Sequence, residues 1–412
     1  MAGSRDSDPE IGVWSTLQLM GKLVPLVCLS SAAPVIVAPY SYFNGLNFWA
    51  ERHTTLSHND IHCELTPQAQ YCKDAILDEV AMNSIMGMII PLMHLVTWPA
   101  LGVMSDAFGR RPVIVLCFLI AFLSIFACFL FVFFDVSMYL YFVIAPFAAF
   151  PPGVVWYAYT TDITNLDNRA PALGMLSGLD VMAKVVGTSI GGLLTLKQAA
   201  AASMATWALV VFVAWGFLRE SLPREKRRQF QRKDLHELLP WKGISIMCRN
   251  RLLTGFTLVL ICYSATEGVS LSIGPSYVVK YISFDAHDVV INNLITQTSC
   301  TIWLSVFLGK ISKWFGDGAV LKFGTWCFLI YSILMGFCHE KWHIYALSFT
   351  FLGPSTLTIP GIAALKSKLV GESEQGVLQG ALTTVQLVVS TIAGPIFARL
   401  FLVTNRSNDW TP

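Results

Sequence analysis

The chain has 412 residues, of which 54% are hydrophobic and only 13% charged, and its net charge is +2. Soluble globular domains carry about 25% charged residues, so a water-dissolved enzyme and a nucleic-acid binder are both excluded, and lipid is the main solvent. What the charge says lies in its placement, because Lys and Arg orient a membrane chain loop by loop rather than in sum.

The first 22 residues hold Asp6, Asp8 and Glu10, where a signal peptide needs a basic region before a short apolar core. The first apolar run is therefore read as a retained helix. A membrane helix takes about 20 mostly apolar residues. Eleven stretches qualify: 19–42, 82–104, 113–134, 138–161, 171–195, 199–218, 253–279, 289–309, 319–337, 342–365 and 377–402. The fold class expected is all-α, a polytopic membrane protein.

The loops between these stretches alternate in sign. Loop 44–80 carries six acids and two basic residues, Arg52 and Lys73. The next turn holds Arg110 and Arg111, and Arg169, Lys310, Lys313, Lys366 and Lys368 fall on the same side. The connection 219–252 has ten basic residues against four acids, with a run at Arg224, Lys226, Arg227 and Arg228. By the positive-inside rule these loops and the N-terminus are cytoplasmic and loop 44–80 is outside. Which membrane holds the chain stays open.

Eight of the ten cysteines sit in or beside apolar runs and read as small hydrophobes. Cys63 and Cys72 lie instead in the acid-rich outer loop, where a disulfide is expected. His58 and His62 offer a metal site as the alternative, but no ordered ligand spacing accompanies them, so no metal is expected.

The connection 219–252 divides six apolar stretches from five, giving a bundle over 1–218, a basic linker and a second bundle over 253–412. Its basic face is either a solvated tether or a surface for anionic lipid. An internal repeat accompanies the division. GVMSDAFG at 102–109 and GKISKWFG at 309–316 share Gly, Ser, Phe and Gly at four places, 207 residues apart. Similar offsets relate Pro152-Gly153 to Pro360-Gly361, and Arg169 through Gly174 to Gln375 through Gly380. Repeated halves with a site between them are a common plan of secondary transporters.

GVMSDAFGRRP resembles the loop 2–3 signature of the major facilitator superfamily, G-x-x-x-D-x-x-G-R-R. The stretches at 157–178, 374–382 and 393–401 are similar to its tetracycline-efflux and hippocampus-abundant-transcript branches. The resemblance implies a twelve-helix carrier working by alternating access. Against that pattern eleven helices are expected here, six and five, with no counterpart of the twelfth. An eleven-span chain would put Asn405-Arg406-Ser407 outside as a glycosylation acceptor. In the signature, Gly102 and Gly109 allow tight turns and close helix approach, and Arg110 offers a rigid donor fork for carboxylates. The family pattern implies Asp162 as its partner, so Asp106, Arg110, Arg111 and Asp162 form a conformational latch. In the repeat copy Lys313 replaces Asp106 and Asp317 replaces Arg110, which makes the latch asymmetric.

Three departures from the family pattern stand out. The basic position of the fourth helix falls near Val143, the fifth-helix Gly-Pro reads Gly187-Thr188, and the first helix has no carboxylate. The last argues against tetracycline export. Gly187, Gly191 and Gly192 still permit the fifth helix to pack closely against its counterpart in the other half.

An ionisable group inside a membrane bundle is a functional candidate. Asp180 and Lys184 are four residues apart and either pair with each other or leave Lys184 facing the cavity. Glu267, with Tyr263 one turn away, suits either proton coupling or a structural bond to the tyrosine. His94 reads as a core histidine or a proton relay. Asn292, Asn293, Gln297 and Gln386 line a polar site or bond between helices, and Pro151, Pro152, Pro354 and Pro360 permit kinks.

The expectation is a monomeric carrier of small organic solutes, with protons as the candidate coupling ion, the bilayer as its surroundings and no cofactor. The alternative is a transport-inactive receptor or scaffold that keeps the fold.

Overall fold

The computed structural model describes residues 21, 23–56, 60–148, 153–164, 166–227, 247–369 and 375–407. His58, Pro151, Pro152, Arg228 and most of the basic connection lie outside them, as do the side chains of Arg169, Lys368 and Asn405.

Among the described residues the chain is helical, with no strand. The helices are α1 Val24–Ala50, α2 Gln70–Phe108, α3 Arg110–Phe134, α4 Tyr139–Ala148, α5 Gly153–Ile163, α6 Leu166–Gly192, α7 Leu196–Phe217 and α8 Arg251–Ile282. Beyond these come α9 Ala286–Ile302, α10 Leu308–Phe315, α11 Asp317–Met335, α12 Lys341–Leu347, α13 Thr358–Lys368 and α14 Gln375–Ser407. Nine of the described helical runs are long and apolar enough to cross a membrane. The run α6, with Asp180 and Lys184 midway, is not among them, and α4 and α5 flank residues 149–152.

Two helices overrun their apolar stretches. α1 continues eight residues past position 42 because Asn44 and Asn47, polar in sequence, are buried and bonded. Asn44 donates to the Cys128 sulfur at 3.6 Å and Asn47 to the Glu64 carboxylate at 2.9 Å. α2 begins at Gln70, so Asp74, Asp78 and Glu79 stand on a helix rather than in a loop.

The ends are set by local chemistry. Gly109 has φ +105° and Gly316 +80°, conformations that favour glycine. Their amides return to the Ser105 and Ser312 carbonyls at 3.1 and 3.0 Å. The sequence repeat is thus also a repeat of backbone geometry. Asn250 caps α8 by accepting the Leu253 amide at 2.8 Å, satisfying one of the orphan donors of a helix start. Pro354 has no amide for the Thr350 carbonyl, and the helix loosens there into a π-helical segment, Ser348–Leu352.

α1 packs on α6 and α7, α3 on α7, and α8 on α14. Across the 219–250 connection, α2 meets α8 and α14, and α6 meets α9. Buried apolar side chains form one core at the end that carries the Cys63–Cys72 loop. It draws on both sides of the connection: Phe43, Trp49 and Ile76 share it with Phe284, Ile344 and Ala398. At the Gly109 end the described core divides in two. Ile114, Phe118 and Trp207 belong to one part, and Leu253, Leu260 and Ile362 to the other. The outer surface is studded with exposed Val96, Phe212, Trp215 and Trp326, large apolar groups that hydrocarbon covers at no cost to backbone pairing.

α1 packs closely on α6. A Cβ on Gly191 would lie 2.3 Å from the Ile36 carbonyl oxygen, and one on Gly187 2.6 Å from that of Ala32. These two glycines therefore pack on the first helix of their own half, not on a counterpart across the molecule. Gly192 alone of the three faces the other half, against Val290 on α9. Gly191→Ala is expected to destabilise the protein by about 1–3 kcal/mol, the usual cost of forcing volume into a packed contact. Thermal unfolding followed by size-exclusion chromatography in detergent checks it.

Candidate functional site

Two constellations stand out, one at the Gly109 end and one in a cavity midway. At the Gly109 end Arg110 opens α3 and is 8% exposed. Its Nε donates to Asp162 Oδ2 at 3.0 Å, and its NH1 donates to Ser105 Oγ at 2.6 Å and to Asp106. Ser221 adds a bond to the same Asp162 oxygen at 2.9 Å. Glu220 accepts the backbone amides of Arg110 at 2.8 Å and Arg111 at 3.3 Å. A carboxylate suits that place because a helix N-terminus carries unpaired amides and partial positive charge. Arg227 lies 3.6 Å from Glu220, and Arg111 donates to the Trp215 carbonyl.

Asp106, Arg110 and Asp162 thus come together, with Arg111 alongside. Among the described residues every partner in the cluster belongs to 102–227, so it ties the ends of α2, α3, α5 and α7 within one half. Gly109 is indispensable twice over, by its φ and because a Cβ there would meet the Glu220 carboxylate at 2.4 Å. Gly102 is different from the expectation. It lies inside α2, two turns short of the corner, and a Cβ there would meet nothing within 4 Å, so neither a turn nor a close approach requires it. In the repeat copy Ser312 donates to Asp317, which mirrors Ser105 and Arg110 with the charge reversed.

The second constellation lines a cavity of about 400 Å³ between α1, α2 and α4 on one side and α8 and α14 on the other. Glu79 is in its wall and 3% exposed. Asn83 donates to Glu79 Oε1 at 2.9 Å, and Oε2 is buried without an aligned hydrogen bond, the Trp49 indole N–H lying beside the carboxylate. Tyr42 donates to Ser276 Oγ at 3.0 Å, linking α1 to α8 across the cavity. Sequence reasoning passed over Glu79 because it counted among the acids of loop 44–80. The available signal was the spacing of Glu79, Asn83, Met86 and Ile90, one face of a helix that starts earlier than its apolar run. Glu220, one of the four acids of the connection 219–252, was missed because its partner is 110 residues away.

The remaining candidates lie elsewhere. Lys184 and Asp180 pair at 2.8 Å, and Ser31 donates to the other Asp180 oxygen at 2.7 Å, so the cation is held by its own helix. Glu267 is exposed, one residue before the cavity residue Gly268. Tyr263 is buried against Phe328, their rings 4.6 Å apart. His94 stacks near Trp98 at 5.1 Å and is absent from the cavity wall. Asn292 accepts from Ser348 at 2.8 Å, between α9 and the π segment, and Gln297 donates to Thr188 at 3.4 Å, between α9 and α6.

At the opposite end Cys63 and Cys72 form a disulfide, and no group of metal-binding side chains occurs among the described residues. The bridged loop leans on the second half. The Ala286 amide donates to the Glu64 carbonyl at 3.2 Å, and Gln68 donates to Ser283.

The family model of the Major Facilitator Superfamily matches residues 71–395. The chain is 22% identical over 328 residues to hippocampus abundant transcript-like protein 1 of Mus musculus, an alignment covering 78% of this chain and 63% of that one. It thus spans less than two thirds of that relative's length. It is 25% identical over 317 residues to the class C tetracycline resistance protein of Escherichia coli, covering 74% and 76%. In fold it is similar to the human organic anion transporter MFSD10, with a TM-score of 0.65 and 16% identity over 93% of this chain and 94% of that one. The family match over most of the chain, the glycine-bounded Arg110 corner and a helical bundle with apolar outer faces agree: this chain belongs to the major facilitator superfamily and is a multi-pass membrane protein.

Proposed function

We propose that the protein carries small organic solutes across its membrane by alternating access, as a monomer, with 1–218 and 253–412 as two bundles joined by the basic connection 219–252. One observation carries this. Among the described residues the two sides share a single apolar core at the disulfide end and have separate cores at the Gly109 end, with the cavity lined by both sides. That is the form of two bundles closed at one end and parted at the other. Rocking about the cavity would exchange the two ends.

The orientation follows from charge. Basic residues gather at the Gly109 end and the disulfide at the other, so the first faces the cytoplasm and the second an oxidising compartment. The state described is then open inward. The Arg110 cluster, held within one half, makes that end of the first bundle move as one piece. A proton is the proposed coupling ion, and the carboxylates placed to serve it are Glu79 in the cavity wall and Glu267 beside it.

The test is flux in reconstituted vesicles, with a panel of cationic, anionic and neutral organic solutes, with and without a pH gradient. Saturable uptake of at least one solute above that of protein-free vesicles is expected. No flux across the whole panel would turn the reading to a receptor or scaffold that keeps the fold.

A further inference from the structure

We infer that the solute seated in the central cavity is an organic cation of the amphipathic ammonium class, held by Glu79. This rests on the carrier reading above and names the chemistry of its substrate. Among the described residues lining the cavity, Glu79 is the one ionisable acid, and no Lys, Arg or His accompanies it. A buried carboxylate without a positive partner is costly, and in a membrane bundle such a group marks a ligand or ion pathway.

The geometry reserves one side of that carboxylate. Asn83 occupies Oε1, while Oε2 makes no aligned hydrogen bond and the buried Trp49 indole N–H lies beside the carboxylate. Gly45 on α1 leaves the room: a Cβ there would sit 2.4 Å from Oε2 and 2.5 Å from Oε1. Any larger residue would push the carboxylate away. The surrounding walls come from Tyr42, Tyr141, Phe142 and Met86. Aromatic faces attract a cation that has shed its water. A cavity of about 400 Å³ suits a ring-sized organic solute rather than a bare metal ion. An anion would bring its charge against an uncompensated carboxylate, so the cavity selects against it.

The experiment uses benzyltrimethylammonium as the cation and phenylacetate as an anion of similar size. Binding is measured calorimetrically on the full chain in nanodiscs, and flux of each in reconstituted vesicles. The wild-type protein is expected to bind benzyltrimethylammonium about 10-fold or more tightly than phenylacetate, and Glu79→Gln to lose about 10-fold in cation affinity alone. Gly45→Ala, which displaces the carboxylate without removing it, should weaken the cation severalfold and keep the fold. It serves if Glu79→Gln fails to assemble.

Phenylacetate bound as tightly as benzyltrimethylammonium would overturn the inference. So would wild-type cation affinity in a folded Glu79→Gln protein, or the absence of any cation binding. The two readouts separate the claims. Cation binding that depends on Glu79 but yields no flux keeps the site and removes the carrier. Phenylacetate flux without cation binding keeps the carrier and removes the cation site.

Discussion

Arg110→Ala is expected to lower solute flux by about 100-fold and to reduce thermal stability. The guanidinium is 10% exposed in its side chain and its partner Asp162 19%, so the pair is largely withdrawn from water. Removing one member of such a pair costs about 3 kcal/mol, because the other charge is left without compensation. Taken as a shift between an ordered and a loosened end of the first bundle, that is about 100-fold in the equilibrium. Asp106 is 45% exposed and contributes less, since water can replace the arginine there.

The variant series separates charge from shape. Arg110→Lys keeps the charge and loses the planar fork that reaches Asp162, Asp106 and Ser105 together, so it should fall between wild type and Ala. Asp162→Asn combined with Arg110→Ala should cost less than the sum of the two single changes, the mark of residues acting through one network. Wild-type flux and melting in Arg110→Ala would mean that the cluster holds nothing together.

Much of this architecture was legible from residues alone. Nine of the eleven stretches read from apolar run length appear among the described residues as helical runs long and apolar enough to cross a membrane, and the corner at Gly109 follows from a glycine repeated at Gly316. The Arg110–Asp162 contact was within reach through the signature, since its residue types and places carry the pairing. What could not be read was anything that depends on a partner remote in sequence. Asn44 and Asn47 look like loop residues until Cys128 and Glu64 are seen to meet them. Gly102 and Gly109 are indistinguishable as letters, yet only the second has the positive φ and the crowded neighbour.

Glu79 and Glu267 show the same limit from the other side. A carboxylate in the middle of an apolar run draws notice, whereas one three residues before the run reads as part of a loop. The helix that contains Glu79 starts at Gln70, and tertiary packing against α1 then carries the acid into the interior. Apolar periodicity locates the apolar faces of the helices, but it does not tell which of those faces line a cavity or which polar residue among them is turned toward it. Lys184 makes the complementary point. Its distance of four residues from Asp180 made an ion pair one of the two readings, because both partners lie on one helix, and the structure has that pair.

The rocking of two bundles is the central claim, and locking the disulfide end addresses it most directly. That end is closed by contacts between the halves: Gln68 to Ser283, the Glu64 carbonyl to the Ala286 amide, and Tyr42 to Ser276 deeper in. Each would have to break for the cavity to open there. Gln68→Cys with Ser283→Cys, joined by a short bis-methanethiosulfonate that forms a mixed disulfide with each thiol, releases methanesulfinate and is cleaved by a reductant, holds the outer pair together while leaving the cavity and the Arg110 cluster untouched. The exposed thiols at Cys248 and Cys262 are first replaced by Ser, and the parent protein treated alike accounts for any effect on the Cys63–Cys72 bridge. Flux of the solute that wild-type vesicles accumulate is then followed before linking, after linking and after cleavage. The account predicts that flux falls to the level of protein-free vesicles on linking and returns on cleavage; flux that continues unchanged through a fully linked protein would contradict it.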